Sequence, residues 1–218
     1  MYMLPLFPLN TVLFPGTPIS LHIFEPRYKE MVHTCMENNR VFGVVLIRHG
    51  QETLPGHPDP YPVGCLARIV HSEKLEDGRY HLTAVGEERF RIRRLDGSKS
   101  YLQGWVETLD NESPRLSTLR RIRPLTALVV EYLRMLSRIS DLHLDIERLQ
   151  MPEDPVMLIY LAASLLQIPP HEKQSLLELD NPAEMMHMVE RMYRRETVVT
   201  AFTGEIDAAS ARRAAWLN

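Results

Sequence analysis

The sequence predicts an α+β fold in which an N-terminal β-barrel of about six strands with one helix is followed by a C-terminal bundle of about four helices. Apolar and polar residues alternate through most of the first 110 residues, which is the side-chain period of strands. Beyond residue 113 the apolar residues recur at helical spacing instead. We therefore expect a barrel domain at 1–112, a helical bundle at 113–203 and a tail at 204–218 that could form a short helix.

The chain opens with short bent strands and then a helix. Prolines divide the apolar residues 4–14 into pieces too short for a helix, and each proline favours extended backbone before it. Pro26 suits a first helical turn, and apolar positions from Tyr28 to Met36 follow helical spacing. A helix is therefore predicted from Pro26 to the Asn38-Asn39 pair.

The remaining strands of the first half are separated by turn signals. Residues 41–48 form a nearly continuous apolar run that predicts a buried strand, and the proline-rich residues 51–62 predict a surface loop. Asp77-Gly78 lies between two strand patterns and predicts a β-hairpin. Two further strands are predicted at 88–95 and 101–109, which completes a barrel of short strands.

Helix signals dominate the second half. Asp154-Pro155 and Asn181-Pro182 each place a capping side chain before a proline suited to the first turn. Pro124 is expected to kink or break a helix, and Pro169-Pro170 to end one. Gly204 is expected to interrupt the last helix.

Several of these segments resemble the N-terminal substrate-binding domain family of the Lon ATP-dependent protease. The resemblance lies in residues 4–28, 42–47, 64–69, 77–79, 86–92, 154–155 and 172–174. It implies a PUA-like barrel and a free-standing member of the family that lacks the ATPase and protease modules. It also implies a non-enzymatic role in protein quality control, in which an apolar groove between barrel and bundle binds unfolded or partly folded polypeptide segments. A protease or chaperone partner would be compatible with that role.

Composition supports a globular protein and gives no sign of a membrane segment. The chain is 44% hydrophobic and 24% charged, and its net charge of -3 does not favour nucleic acid as a partner. No apolar run approaches the length of a membrane span, and the N-terminus has no signal-peptide pattern. We therefore expect a cytoplasmic protein whose two cysteines, Cys35 and Cys65, are reduced and buried.

No catalytic arrangement is recognisable in the sequence. None of its lysines completes the GxxxxGK[ST] loop that cradles the phosphates of ATP. The nine histidines are scattered without metal-ligand spacing, although His71 and His81 could face each other across the hairpin. Cys35 and Cys65 lie in apolar patterns that do not favour a reactive thiolate. We expect no enzyme activity, cofactor or metal, and no group of residues suggests a small-molecule enzyme.

The turn from strand to helix contains the first candidate site. Phe24, Glu25, Arg27 and Tyr28 combine aromatic and charged groups, as polypeptide-binding surfaces do. Alternatively, Phe24 and Tyr28 seal the end of the barrel while Glu25 satisfies free amides at the start of the helix. Both interpretations remain open on the sequence.

One methionine of the last long helix is a further candidate for binding a polypeptide. Met185, Met188 and Met192 follow the spacing of an ordinary core stripe, whereas Met186 is predicted to lie off it. Because methionine adapts to varied apolar partners, Met186 is a candidate peptide contact.

Three arginines provide the second candidate site. Arg89, Arg91 and Arg93 alternate with apolar residues and are predicted to form a row on one face of a strand. Such a row would suit acidic peptides or phosphates, and it supports an alternative function as an RNA-binding PUA-like module. The other interpretation is a solvated face on which the arginines pair with Glu87 or Glu107.

Overall fold

A computed structural model describes residues 1–50, 58–110, 120–139 and 151–215, with side chains described as far as Ala201 in the last helix. The chain divides into two compact units. One contains Met1–Glu112 and Pro169–Asp180, and the other contains Ser113–Ile168 and Asn181–Asn218. Most of the predicted loop at 51–62 and the predicted domain boundary lie outside the described residues.

In its described residues, the first unit is built on seven strands. They are β1 (Tyr2–Leu9), β2 (Pro18–Ile23), β3 (Val41–His49), β4 (Asp59–Pro60), β5 (Val63–Lys74), β6 (Tyr80–Asp96) and β7 (Gln103–Leu109). The predicted first helix is α1 (Pro26–Glu37), which begins with Pro26 and leads into Asn38 as its C-cap. The predicted α+β class is therefore confirmed.

The sheet closes on itself. The strands follow the order β1-β7-β6-β5-β3, and β1 pairs antiparallel with β7 and parallel with β3, so the ring has no open edge. Outside the ring, β2 pairs with β6 and the short β4 pairs with β3. The barrel predicted from the sequence is thus confirmed.

Two apolar clusters occupy opposite faces of the curved sheet. Along β1, Leu4 and Leu6 belong to one cluster and Phe7 and Leu9 to the other, as the side-chain period of two requires. The cluster with Phe7 also contains the buried residues of α1, so this helix covers one face of the sheet.

The hairpin predicted at Asp77-Gly78 is confirmed. It joins β5 to β6, and Gly78 has a φ of 77°, a conformation that other residues adopt at a cost. The side chain of Asp77 accepts a hydrogen bond from the amide of Arg79 at 3.0 Å. The hairpin register pairs His71 with Thr83 and Glu73 with His81, so the two histidines that could have faced each other do not lie directly opposite.

β6 is a single strand where the sequence predicts two. One of them was predicted to begin at residue 88, but β6 runs without a break from Tyr80 to Asp96, and another part of the backbone lies close to Gly86. Its amide donates to the carbonyl of Thr17 at 2.9 Å, and its carbonyl accepts from the amide of Gly16 at 2.8 Å. A Cβ at this position would lie 2.3 Å from the carbonyl oxygen of Phe14.

The helix α4 (Pro170–Leu177) belongs to the first unit. Their helical spacing alone places these residues in the predicted bundle at 113–203. In the structure the side chain of Gln174 donates to the carbonyl of Val63 at 3.0 Å, which ties the helix to β5.

The second unit contains α2 (Ile122–Ile139), α3 (Pro155–Leu165) and α5 (Pro182–Ala215). Both predicted caps are confirmed: Asp154 accepts from the amide of Met157 at 2.8 Å, and Asn181 accepts from that of Ala183 at 2.9 Å. The hydroxyl of Tyr193 donates to the carbonyl of Ala162 at 2.7 Å, which links α5 to α3.

The predicted helix break at Gly204 is wrong, whereas the one at Pro124 is not tested. Pro124 is the third residue of α2, where its missing amide hydrogen costs no intrahelical bond, and the residues of the predicted preceding helix at 111–119 lie outside the described part of the chain. α5 continues through Gly204 to Ala215, since one glycine costs a helix only about 1 kcal/mol relative to alanine. Across the described residues, no helix combines the length and apolar character needed to cross a membrane.

Candidate functional site

The corner between β2 and α1 brings four predicted site residues together. Phe24 directly follows β2 and is 55% exposed, whereas Tyr28 in the first turn of α1 is buried. Both side chains line a cavity of about 110 Å³. The other walls come from Phe7, Leu9, Leu21, His22, Ile23 and Glu25. The corner is therefore a small, mainly apolar cavity with an exposed aromatic ring beside it.

The charged residues of the corner pair with each other. Arg27 donates through Nε to Oε2 of Glu25 at 3.0 Å, and its guanidinium carbon lies 4.7 Å from the ring centroid of Tyr28. The ring of Tyr28 in turn lies 4.2 Å from that of Phe7. The side chain of Glu25 makes no capping hydrogen bond, so the expectation that it satisfies the helix amides is wrong. Its backbone carbonyl instead accepts from the amides of Tyr28 and Lys29.

The strand that leads into this corner lies at the edge of the sheet. β2 pairs with β6 along one side, and no strand in the described part of the chain pairs with its other side. Ile19 and Leu21 pack against the core, while Ser20 and His22 are exposed. The unpaired side offers backbone N–H and C=O groups to an added strand.

The predicted arginine row does not exist. The side chain of Arg89 is fully buried, and its Nη1 donates to the carbonyls of Leu177 and Leu179 at 2.9 and 2.8 Å. Arg93 forms a hydrogen-bonded ion pair with Glu107 across to β7, and this pair lowers the pKa of the Glu107 carboxyl. A bulge between Ile92 and Arg94 also disturbs the alternation on which the row depended.

Arg91, the remaining arginine of the predicted row, is neither fully buried nor fully exposed. Arg91 is half-buried, and the register places it opposite Glu107. The interpretation in which these arginines pair with carboxylates therefore describes Arg93, which pairs with Glu107, and part of the environment of Arg89, which pairs with Asp180 and also binds the end of α4.

Met186 does not lie off the core stripe. It is 1% exposed, and it shares a helical face with the equally buried Val189 and Tyr193. The prediction of an exposed methionine was wrong because the buried face of α5 is rotated relative to the stripe drawn through Met188 and Met192. These two residues are only half-buried.

The second unit contains a groove that was not predicted from the sequence. It has a volume of about 940 Å³ and is lined by one face of α2 together with Thr197 and Ala201 of α5. The α2 residues on this face include Arg123, Arg134 and Arg138. The helical spacing of these arginines could have indicated a shared face, since they lie opposite the buried stripe of α2.

The sequence profile of the family described as ATP-dependent protease La (LON) substrate-binding domain matches residues 3–195. The chain belongs to this family. The resemblance inferred from the sequence is thus confirmed.

Individual relatives of this Lon substrate-binding domain agree with the profile. Lon protease 2 of Myxococcus xanthus is 28% identical over 94% of the chain, and Lon protease of Anaeromyxobacter dehalogenans is 27% identical over the same share. The chain spans 25% of the length of each of these two relatives.

Solved structures show the same fold. The Lon N-terminal domain protein from Xanthomonas campestris is 27% identical, with a TM-score of 0.62 over 87% of this chain and 97% of that one. The N-terminal domain of Mycobacterium avium complex Lon protease has a TM-score of 0.65 at 15% identity, which supports the fold alone.

The thiols of this Lon-family chain are buried. Burial raises the pKa of Cys35 to about 12, and it also raises the pKa of Cys65. Both thiols therefore stay protonated and weakly nucleophilic near neutral pH. Within the described ranges, no three histidine, cysteine or acidic side chains come together as a metal site.

Proposed function

We propose that this chain is a non-catalytic binding module for unfolded or partly folded polypeptide segments, and that the corner between β2 and α1 is its contact. The observation that carries the proposal is Phe24, a large aromatic side chain that is 55% exposed at the wall of an apolar cavity of about 110 Å³. Aromatic side chains beside small apolar pockets are the usual anchors of protein interfaces. An apolar side chain of a client would enter the cavity and cover the ring of Phe24.

The unpaired side of β2 supplies the second half of the contact. An extended polypeptide that adds to a sheet edge is held mainly by backbone hydrogen bonds, which do not depend on its sequence. Unfolded clients share little except exposed backbone and apolar side chains. The edge of β2 and the cavity beside Phe24 together suit both features.

The buried arrangement behind the corner would keep it in shape. The Glu25–Arg27 pair and the contact between the tilted rings of Tyr28 and Phe7 fix the start of α1. We propose that Tyr28 and Arg27 act as supports, while Phe24 is the residue that a client touches. Preorganised contacts of this kind reduce the entropy that is lost on binding.

Family membership supports a substrate-binding role, and the relatives' names identify them as proteases. We propose that polypeptide clients are the substrates in question and that a protease or chaperone is a partner of the protein. We place this role in the cytoplasm, where the two buried thiols would remain reduced. We do not propose RNA binding through the Arg89 strand, because Arg89 and Arg93 are already engaged by protein groups.

The test is fluorescence anisotropy with fluorescein-labelled, reduced and carboxymethylated lactalbumin, which cannot fold. We expect saturable binding that unlabelled unfolded protein competes away and native lactalbumin does not. Phe24→Ala should weaken this binding by about tenfold or more, as expected for the loss of an aromatic anchor.

Val70→Ala is the matched control, because Val70 is also 55% exposed but does not line the cavity. It should leave the affinity unchanged. Absence of saturable binding by the unaltered protein would refute the proposed function, whereas equal binding by both variants would refute the assignment of the corner.

A further inference from the structure

The helix α2 has two different faces. One is buried in the second unit and contains Leu125, Val129, Tyr132 and Leu133. The opposite face lines the groove of about 940 Å³ with Thr197 and Ala201 of α5. None of the residues that line this groove also lines the cavity at the corner between β2 and α1.

The groove combines apolar and cationic residues. Val130 and Met135 are half-buried in its lining, and Ala127 is a small residue that lets another chain approach closely. Arg123, Arg134 and Arg138 are exposed along it. Leaving aside residues that the structure does not describe, none of these three arginines has a carboxylate partner, whereas Arg121 nearby pairs with Glu190 at 3.0 Å.

Glu131 is the acidic residue among those that line the groove. Among the described residues that line the groove, three arginines and one glutamate leave a net positive charge of two. A guanidinium recognises carboxylates through paired hydrogen bonds, so the charge favours an acidic partner. The apolar lining favours a partner that also has an apolar face.

The shape of the groove favours a helix. It follows α2 from Arg123 to Arg138, a distance of about 22 Å at 1.5 Å per residue. A helix of about 15 residues has this length, and helices pack closely where one of them presents small side chains. We propose that this groove binds an acidic amphipathic helix of another polypeptide chain.

The probe is a fluorescein-labelled 16-residue peptide with leucine on one helical face and glutamate on the other. The matched probe has lysine at every glutamate position. Full-length protein should bind the glutamate peptide at least about tenfold more tightly than the lysine peptide, since like charges replace opposite ones along the groove. Rising salt should weaken the binding of the glutamate peptide.

Charge reversal locates the site. Arg134→Glu with Arg138→Glu should weaken binding of the glutamate peptide by about tenfold or more. The control is Arg191→Glu with Arg194→Glu, which makes the same change in net charge at exposed positions of α5 that do not line the groove. Ala127→Trp should also weaken binding because it fills the groove, and circular dichroism checks that each variant is folded.

Three results would overturn the proposal. The first is equal affinity for the glutamate and lysine peptides, and the second is an equal effect of the groove and control variants. The third is that single-stranded RNA displaces the glutamate peptide and that RNA binding is lost only in the Arg134→Glu, Arg138→Glu variant. This result would make the groove a nucleic-acid site. Neither peptide result depends on Phe24, so this proposal and the proposed function fail independently.

Discussion

Arg89 donates from Nη1 to the carbonyl oxygen of Leu177 at a distance of 2.9 Å, although the two residues are 88 positions apart. The same nitrogen also donates to the carbonyl of Leu179, and Nη2 lies 3.1 Å from Oδ1 of Asp180 as an ion pair. The carbonyls at the end of a helix carry partial negative charge, which a buried guanidinium complements. One barrel arginine thus holds the end of α4 against β6.

Arg89→Met should destabilise the protein by about 3 kcal/mol. Hydrogen bonds to a charged donor contribute about 1.5–3 kcal/mol each, and the substitution leaves two carbonyl groups without their donor. Urea unfolding followed by circular dichroism measures the change, and hydrogen exchange should show faster exchange in α4. Arg94→Met is the control because Arg94 is exposed, so its effect should stay within about 0.5 kcal/mol. Equal stability and equal α4 exchange in the two variants would contradict the role of Arg89.

Gly86 and Gly78 provide a comparison between steric overlap and backbone strain. Gly86→Ala places a Cβ 2.3 Å from the carbonyl oxygen of Phe14, so the backbone must move, at a cost of about 3 kcal/mol. Gly78→Ala meets no atom closer than 3.8 Å and should cost only the strain of a positive φ, about 1 kcal/mol. Thermal or urea unfolding gives both values. The explanation for Gly86 fails if the two variants are equally stable.

Local signals in the sequence predicted local structure well. Pro26 marks the start of α1, Asp77-Gly78 forms the hairpin, and Asp154 and Asn181 cap their helices, because each signal acts within a few residues. The predicted exposure of Arg89 and of Met186 depended on distant neighbours and was wrong. Nothing near Arg89 in the sequence indicates that residues 177–180 will bury it.

The candidate site residues also divide into those that local sequence predicted and those that depend on distant parts of the chain. The cluster from Phe24 to Tyr28 was recognised because its residues are consecutive, but its cavity also needs Phe7 and Leu9 from β1. Met186 was misplaced because helical spacing gives the relative positions of side chains and not which face is buried.

Burial of Cys35 should make stability fall at alkaline pH. An unfolded thiol ionises near pH 8.5–9, but the pKa of Cys35 is raised to about 12 in the folded chain, so the folded state holds the proton longer. The contribution of Cys35 is therefore complete below the unfolded pKa and is lost between about pH 9 and 12, with a slope of about 1.4 kcal/mol per pH unit. The raised pKa of the buried Cys65 thiol adds to the total slope, which urea unfolding at a series of pH values measures.

Cys35→Ala provides the comparison for this slope. It should reduce the alkaline slope by about 1.4 kcal/mol per pH unit, since the titrating thiol is gone. Native protein at pH 8 should also resist iodoacetamide at both cysteines, and urea-unfolded protein should react at both. Rapid labelling of the native protein, or an unchanged slope in the variant, would show that the thiol is not protected.

Strand addition to β2 predicts that the backbone of a client matters as much as its side chains. The free side of β2 can pair with an extended segment, and alternate residues of an added strand direct their N–H groups toward the sheet. A short apolar peptide that is N-methylated at every second residue should therefore bind differently according to which set is methylated. Methylation of the set that faces β2 should weaken binding by about tenfold or more, because each lost hydrogen bond contributes about 0.5–1.5 kcal/mol. Methylation of the other set should have little effect.

Anisotropy competition against labelled carboxymethylated lactalbumin measures the affinities of both methylated peptides. Equal affinities would exclude strand addition to β2 while leaving the cavity beside Phe24 as a contact.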